Sequence, residues 1–299
     1  MSFHHRLLAA AYQPLKFARD TYSVVRPQSG NCLRVLLYHD IAESTQTRFA
    51  AQLRWVARRW RFATPDEFAD MASGRVPIVG RNVLLTFDDG FATDRVVAEQ
   101  VLGPLGIRAL FFVVPNFLDC VEPEEARRFV AQRIRPRSDV SNLPSHLGTM
   151  TWSDLSALLD NGHGIGAHTR SHAKLSALAG AQLEDEIVGG ADLLASRLGA
   201  HIDHFAFPFG NVTSFSPAAL RIARARFSMT YSGLRGDNAR GVSTAVLRRD
   251  AIPPDASPAL VGSLLEGGAD FHYGRQRQQL DMWEREAVAS PSPLRDERV

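Results

Sequence analysis

Short apolar runs that each end abruptly in polar residues recur along this chain. Their placement restricts the fold more than any single residue does. Leu33 to Tyr38 runs into His39-Asp40, and Val83-Leu84-Leu85 into Thr86-Phe87-Asp88-Asp89-Gly90. Ile165 to Ala167 runs into His168, His204 to Phe207 into Pro208-Phe209-Gly210, and Ala245 to Leu247 into Arg248-Arg249. Ala109 to Val114 and Met229 to Tyr231 add two further runs. Runs of this kind read as strands buried on both faces. Segments with helical spacing lie between them, at 48–59, 64–71, 94–105, 151–159, 183–198 and 217–226. Alternating strands and helices imply parallel pairing through helical crossovers. About seven strand-like segments, with polar motifs at their C-terminal ends, suit an incomplete α/β barrel with its site at one mouth.

The polar ends carry the chemistry. Asp88 and Asp89 are adjacent like charges, costly in a partly dry site unless one binds a metal and the other serves as a base. In His168-Thr169-Arg170-Ser171-His172 the imidazoles stand at i and i+4 and point the same way if the segment is helical. One Asp and two His form a three-ligand set that leaves a position open for water, the arrangement of catalytic zinc sites. Alone, Asp-Asp-Gly reads as a turn and His-x-x-x-His as a surface or core pair; together, each after a strand-like run, they point to a metal.

From about Val35 to about Ile252 the chain resembles the polysaccharide deacetylase family, the NodB-homology carbohydrate esterases. Thr86-Phe87-Asp88-Asp89-Gly90 is similar to that family's first motif, His168-Thr169-Arg170-Ser171-His172 to its second and Ala206-Phe207-Pro208-Phe209-Gly210 to its third. The resemblance implies a distorted (β/α)7 barrel. It also implies metal-dependent hydrolysis of the acetamide of an N-acetylated hexosamine in a glycan or glycan precursor. Asp89, His168 and His172 are the implied metal ligands and Asp88 the implied catalytic base. Were both acids ligands, no adjacent group would remain to take a proton from water. The third motif implies an oxyanion donor in the backbone N–H of Phe209, since Pro208 has none. Zinc suits two imidazoles and a carboxylate best, with cobalt, nickel or iron also fitting.

Two departures stand out. The C-terminal Leu-x-His motif that supplies the general acid in many members is missing, and His272 lies in a polar tail. Tyr38-His39 instead resembles the Tyr-His motif of the biofilm-polysaccharide branch, which implies His39 as the acid. The other reading of His39 is a strand-end histidine bonded to backbone. The third motif often begins with an arginine that orients the base, and here that position is Ala206. Arg249 either supplies the charge from another strand or is a surface arginine on a solvated strand end. His163 reads as structural or as orienting a ligand; His201, His204 and Trp152 read as packing or surface residues.

With 299 residues, the chain can bury a sizeable core. The expected layout is an N-terminal helical extension over 1–30, a deacetylase-like domain over 31–270 and a partly disordered tail over 271–299. An insertion at 115–150 is either a seat of specificity or a solvated excursion. A formal net charge of +2 gives no argument for nucleic acid. Cys32 and Cys120 are the only cysteines and are expected to be free, which suits a reducing compartment. No apolar stretch is long enough to span a bilayer, and no small-residue cleavage site follows the N-terminal run. The expectation is therefore a cytoplasmic protein acting on an intracellular glycan, a lipid-linked glycan or a sugar precursor. Residues 3–26 have helical spacing interrupted by Pro14. They pack on the domain or, with Arg6, Lys16, Arg19 and Arg26, lie at a membrane surface. Two other functions remain open: an amidohydrolase or deformylase acting on a small molecule or nucleotide-sugar, and a non-catalytic glycan-binding protein.

Overall fold

The computed structural model describes residues 3–25, 30–239 and 246–289. Its centre is a parallel sheet of β1 (Cys32–Tyr38), β2 (Arg61–Phe62), β3 (Arg81–Asp89), β4 (Ala109–Val113), β5 (Gly164–Ala167), β6 (His204–Ala206), β7 (Met229–Tyr231) and β8 (Asp250–Ala251). Seven of these follow one path, β7-β6-β5-β4-β3-β1-β8, with β2 beside β3. Tyr231 of β7 also bridges Leu247, three residues before β8. The sheet therefore curls until its two edges nearly meet, giving the distorted (β/α)7 barrel. The strand expected at 245–247 lies at 250–251 instead; Leu247 contributes only that bridge, and Ala245 falls outside the described residues.

Period two explains why the strands are apolar throughout. In β1, Leu33 and Val35 face the enclosed side, while Cys32, Leu36 and Tyr38 face the surrounding helices. In β3 and β4, Leu84, Leu110 and Phe112 face inward, and Val83, Leu85, Phe87, Phe111 and Val113 face the helices. With both faces covered, neither set can be polar without a partner. Continuing the parity, His39 falls on the inward side of β1, Asp88 on that of β3 and Arg249, two residues after Leu247, on that of β8.

Arg34 and Asp250 have the outward parity and need each other. The buried Arg34 guanidinium donates to Asp250 at 2.8 and 3.0 Å, to Asp270 at 2.8 and 3.0 Å and to the Leu264 carbonyl at 2.9 Å. It thereby ties the chain beyond the barrel to β1 and β8. Residues after 270 continue as a short turn of helix, Asp270–Tyr273, and a helix, Gly274–Ala289, which buries Leu280 and rests Trp283 on the core. The packed body therefore runs past residue 270, where a tail was expected; the expectation of disorder beyond 289 lies outside the described residues.

The N-terminal extension forms α1 (Phe3–Ala10) and α2 (Tyr12–Val25), divided at Ala11 just before Pro14. It packs on the helix Pro258–Leu265, with the Tyr12 ring lying where a side chain at Gly262 would stand. No helix among the described residues is long and apolar enough to cross a membrane. Both cysteines are free.

Candidate active site

The inward parity of Asp88 would send its neighbour Asp89 to the opposite face of β3. The backbone prevents this: Asp89 has φ 81° and Gly90 φ 93°. The chain swings out of the strand plane, and both carboxylates line one cavity of about 390 Å³. Four non-glycine residues among those described have positive φ: Asp89, Thr169 (63°), His172 (56°) and Phe209 (60°). All four belong to the three motifs. Each such conformation costs of order 1–3 kcal/mol and persists only where the surroundings enforce it.

The 168–172 segment is a loop, so the helical condition for aligning the i, i+4 imidazoles is not met. Left-handed Thr169 and His172 bend it so that the two rings meet at 5.1 Å between centroids. Each ring is anchored through Nδ1: His168 to the Ala206 carbonyl at 2.8 Å, His172 to the Arg133 carbonyl at 2.9 Å. A carbonyl only accepts, so Nδ1 carries the proton in both rings. Burial pushes both imidazoles down, that of His168 to about 3, so they are neutral near pH 7. Each Nε2 is then a bare lone pair, 3.6 Å (His168) and 3.4 Å (His172) from Asp89 Oδ1.

Both oxygens of Asp89 are buried without a hydrogen-bond partner, and burial pushes its carboxyl up to about 7. Ligand atoms of Asp89, His168 and His172 all lie within 4.8 Å of one another. Two lone pairs and a buried carboxylate with no hydrogen bond among them are ill-matched unless a cation lies between them; burial without one is what raises the Asp89 carboxyl. The residues therefore fit a divalent ion, and this is the one such three-residue group among the described residues.

Asp88 is held differently. Arg249, itself buried, donates through Nη1 and Nη2 to its two oxygens at 2.6 and 2.8 Å, and through Nε to the Ser232 carbonyl at 2.9 Å. Burial alone would raise the Asp88 pKa, but the charge of Arg249 and its paired hydrogen bonds bring it below the usual carboxylate range. A surface role for Arg249 is excluded by its 1% exposure.

Phe209 lines the same cavity with its ring 4.7 Å from that of His172. Its left-handed turn is completed by Gly210 (φ 64°), where a β-carbon would come within 2.3 Å of the Gly233 nitrogen. Exposed His39 stands at the rim and lines the cavity too. All seven residues singled out from sequence are thus brought together.

The insertion was undecided from sequence. It carries its own apolar cluster around Phe117, Val130 and Leu147, and is tied to the first motif by Ala92 N–H to Gly148 and Met150 N–H to Gly90, both at 2.9 Å. It supplies the Arg133 carbonyl that orients His172, and Ile134 and Arg135 line the cavity. Sequence reasoning missed these residues; the only signal was the charge density of the segment. His163 orients no ligand: its Nδ1 accepts the Ala109 N–H at 3.1 Å beneath Phe111.

The family model for polysaccharide deacetylases matches residues 77–226. The chain belongs to the polysaccharide deacetylase family. Members hydrolyse carbon–nitrogen amide bonds, and this chain is a hydrolase of that kind. Among curated relatives, it is 21% identical over 263 residues to YxkH of Bacillus subtilis (strain 168), whose name assigns it to the polysaccharide deacetylases, covering 86% of this chain and 84% of that one. Among solved structures, IcaB from Ammonifex degensii superposes with a TM-score of 0.59 at 24% identity, over 79% of this chain and 98% of that one. The Streptococcus pyogenes deacetylase PplD, in complex with acetate, superposes with a TM-score of 0.60 at 19% identity, over 78% and 98%. At these identities the two structures bear on the deacetylase fold alone.

Proposed function

We propose that this family member is a metal-dependent N-deacetylase that hydrolyses the acetamide of an N-acetylated hexosamine in a glycan or glycan precursor. The observation that carries the reading is the unpartnered, buried Asp89 carboxylate facing two Nε2 lone pairs, beside a second carboxylate reserved by Arg249. The two acids differ in surroundings, as a ligand and a base should. In this reading Asp89, His168 and His172 hold the ion, with zinc the best match to the donor set. When bound, such an ion supplies Lewis acidity to the amide carbonyl and acidifies water.

Asp88 takes the proton from the attacking water, and Arg249 keeps that carboxylate ionised and aimed into the cavity. Phe209 offers its backbone N–H to the oxygen on which charge develops. His39, exposed at the rim, hands a proton to the departing amine. A deformylase or small-amide hydrolase would use the same residues. Acetate release from N-acetylated oligosaccharides, with formate release from formylated amines as the comparison, separates the two; formate release alone would refute the deacetylase reading.

Arg249 gives a pH test. Asp88 serves as a base only when ionised, so the pKa that Arg249 lowers extends activity toward acid. Replacing Arg249 with Met should move the acid limb of kcat/KM upward by about 1–3 pH units. An unmoved limb would assign Arg249 a packing role only.

A further inference from the structure

The N-terminal helices are apolar on two faces. One face is packed: Leu8 rests on the core, Tyr12 is buried and Leu15 lies beside Gly268, and Arg19 continues the row to donate to Glu266 at 3.0 Å. The opposite face is open. Leu7, Ala10, Pro14, Phe17, Ala18 and Tyr22 follow one another at helical spacing and all are exposed, Leu7 at 57%, Phe17 at 75% and Tyr22 at 51%. Hydrogen bonds from Ala11 N–H to Leu7 and from Leu15 N–H to Ala11, both 3.1 Å, carry the helical path across the break between α1 and α2, so these side chains share a face. A helix lying on a domain ordinarily turns a polar side to water. A row of large apolar side chains there marks an interaction surface.

The neighbouring charge is one-sided. Of the 34 Lys and Arg and 32 Asp and Glu in the chain, residues 1–60 hold nine and three, leaving 25 and 29 for the rest. Part of that excess is neutralised internally: Lys16 pairs with Asp20, Arg19 with Glu266 and Arg34 with Asp250. Arg6, Arg48, Arg54 and Arg58 are exposed and make no ion pair among the described residues. The last three follow the outer side of α3 (Glu43–Ala57) and the residue after it, with Glu43 at the far end. Trp55 joins α3 to the N-terminal helices: its ring lies 5.7 Å from that of Tyr12, and the Arg59 guanidinium stands 4.2 Å above it.

We propose that the open face of α1 and α2, flanked by the arginines of α3, docks this protein on an anionic lipid bilayer. Leu7, Phe17 and Tyr22 enter the boundary between headgroups and acyl chains, and the arginines meet lipid phosphates. A second copy of the chain suits the face less well, because a two-fold contact sets the patch against itself and arginine against arginine. The inference does not depend on the deacetylase reading, but it bears on where the enzyme works. On their inner side His5 and Leu8 of α1 line a cavity that shares His39 with the catalytic one. Docking through α1 therefore brings the cleft to the bilayer.

The test is flotation of the full chain with phosphatidylcholine vesicles made with and without phosphatidylglycerol. The protein should float with the anionic vesicles and remain behind with the neutral ones, and high salt should weaken binding. Leu7→Ser and Phe17→Ser should each weaken it about tenfold, and Arg54→Ser and Arg58→Ser about fivefold each. Val121→Ser, which removes an apolar side chain 76% exposed on another part of the surface, should leave binding unchanged. Thermal melts of all five variants should match wild type, since every substituted side chain is exposed. Failure to float with anionic vesicles, flotation that survives Leu7→Ser and Phe17→Ser, or flotation lost with Val121→Ser overturns the proposal. So does a dimer in light scattering that Phe17→Ser dissolves while no vesicle is bound, which would give the face to a second copy.

Discussion

Replacing Asp88 with asparagine should lower kcat for acetate release by about 10²–10⁴-fold, the range attributed to a general base, while the metal content stays that of wild type. The amide keeps the size and can still accept from Arg249, but it cannot take a proton from water. Its partners are Arg249 at 2.6 and 2.8 Å, with His168 Nε2 at 3.8 Å from Oδ2. The substitution leaves Arg249 buried against a neutral group, so some loss of stability accompanies it. A thermal melt separates that cost from the catalytic one: the variant should remain folded at assay temperature and show a KM within a few-fold of wild type. Retained activity would mean that another group draws the proton, and Asp88 would become a structural partner of Arg249.

Asp89→Ala should do the opposite to the metal. Removing the carboxylate leaves two imidazole lone pairs, with the one remaining nearby carboxylate, Asp88, already paired with Arg249. Affinity for a divalent ion should fall by well over the roughly 10–100-fold lost when only a ligand's hydrogen-bond partner is changed. Elemental analysis after dialysis should then find almost no metal, and acetate release should fall with it. Stability without metal should hold or rise, because an unpartnered buried carboxylate has been taken away. Asp88→Asn and Asp89→Ala therefore give distinguishable losses: one inactive with metal, one inactive without.

Much of this was legible in the sequence because a parallel strand announces both its burial and its end. Continuous apolar runs gave the strands other than β2 and β8, and period two places His39, Asp88 and Arg249 on the enclosed side once the structure fixes β1, β3 and β8. The helices expected at 64–71 and 151–159 lie at Pro65–Ala72 and Trp152–Asp160, each behind a capping box, at Thr64 and at Thr151. What could not be read was backbone handedness at non-glycine positions. Thr169 and Phe209 carry no residue-type signal for positive φ, and the general tolerance of Asp and His for it does not single out Asp89 and His172, yet these four turns decide that the side chains converge. The bend at 168–172 shows the consequence: the two imidazoles meet without the helix on which their i, i+4 alignment was conditional.

Long-range assembly was the other gap. Nothing near His172 in sequence points to the Arg133 carbonyl, which reaches it from the insertion. His272, read as part of a polar tail, sits in the Asp270–Tyr273 turn that Arg34 holds through Asp270, beside a cavity of about 620 Å³ that His5 and Leu8 of α1 also line. Arg249 was found only through a missing charge, the arginine that Ala206 does not supply, and its bidentate bond to Asp88 meets that need from another strand.

The central claim is that Asp89, His168 and His172 share one divalent ion. The most direct measurement is an anomalous difference map from crystals of chelator-free protein, collected at the absorption edge of the metal that elemental analysis finds. The account predicts a single strong peak within about 2.0–2.2 Å of an Asp89 oxygen and of Nε2 of both histidines, with Asp88 left on Arg249. Active protein whose anomalous scatterer lies elsewhere, or whose three side chains share none, would contradict it.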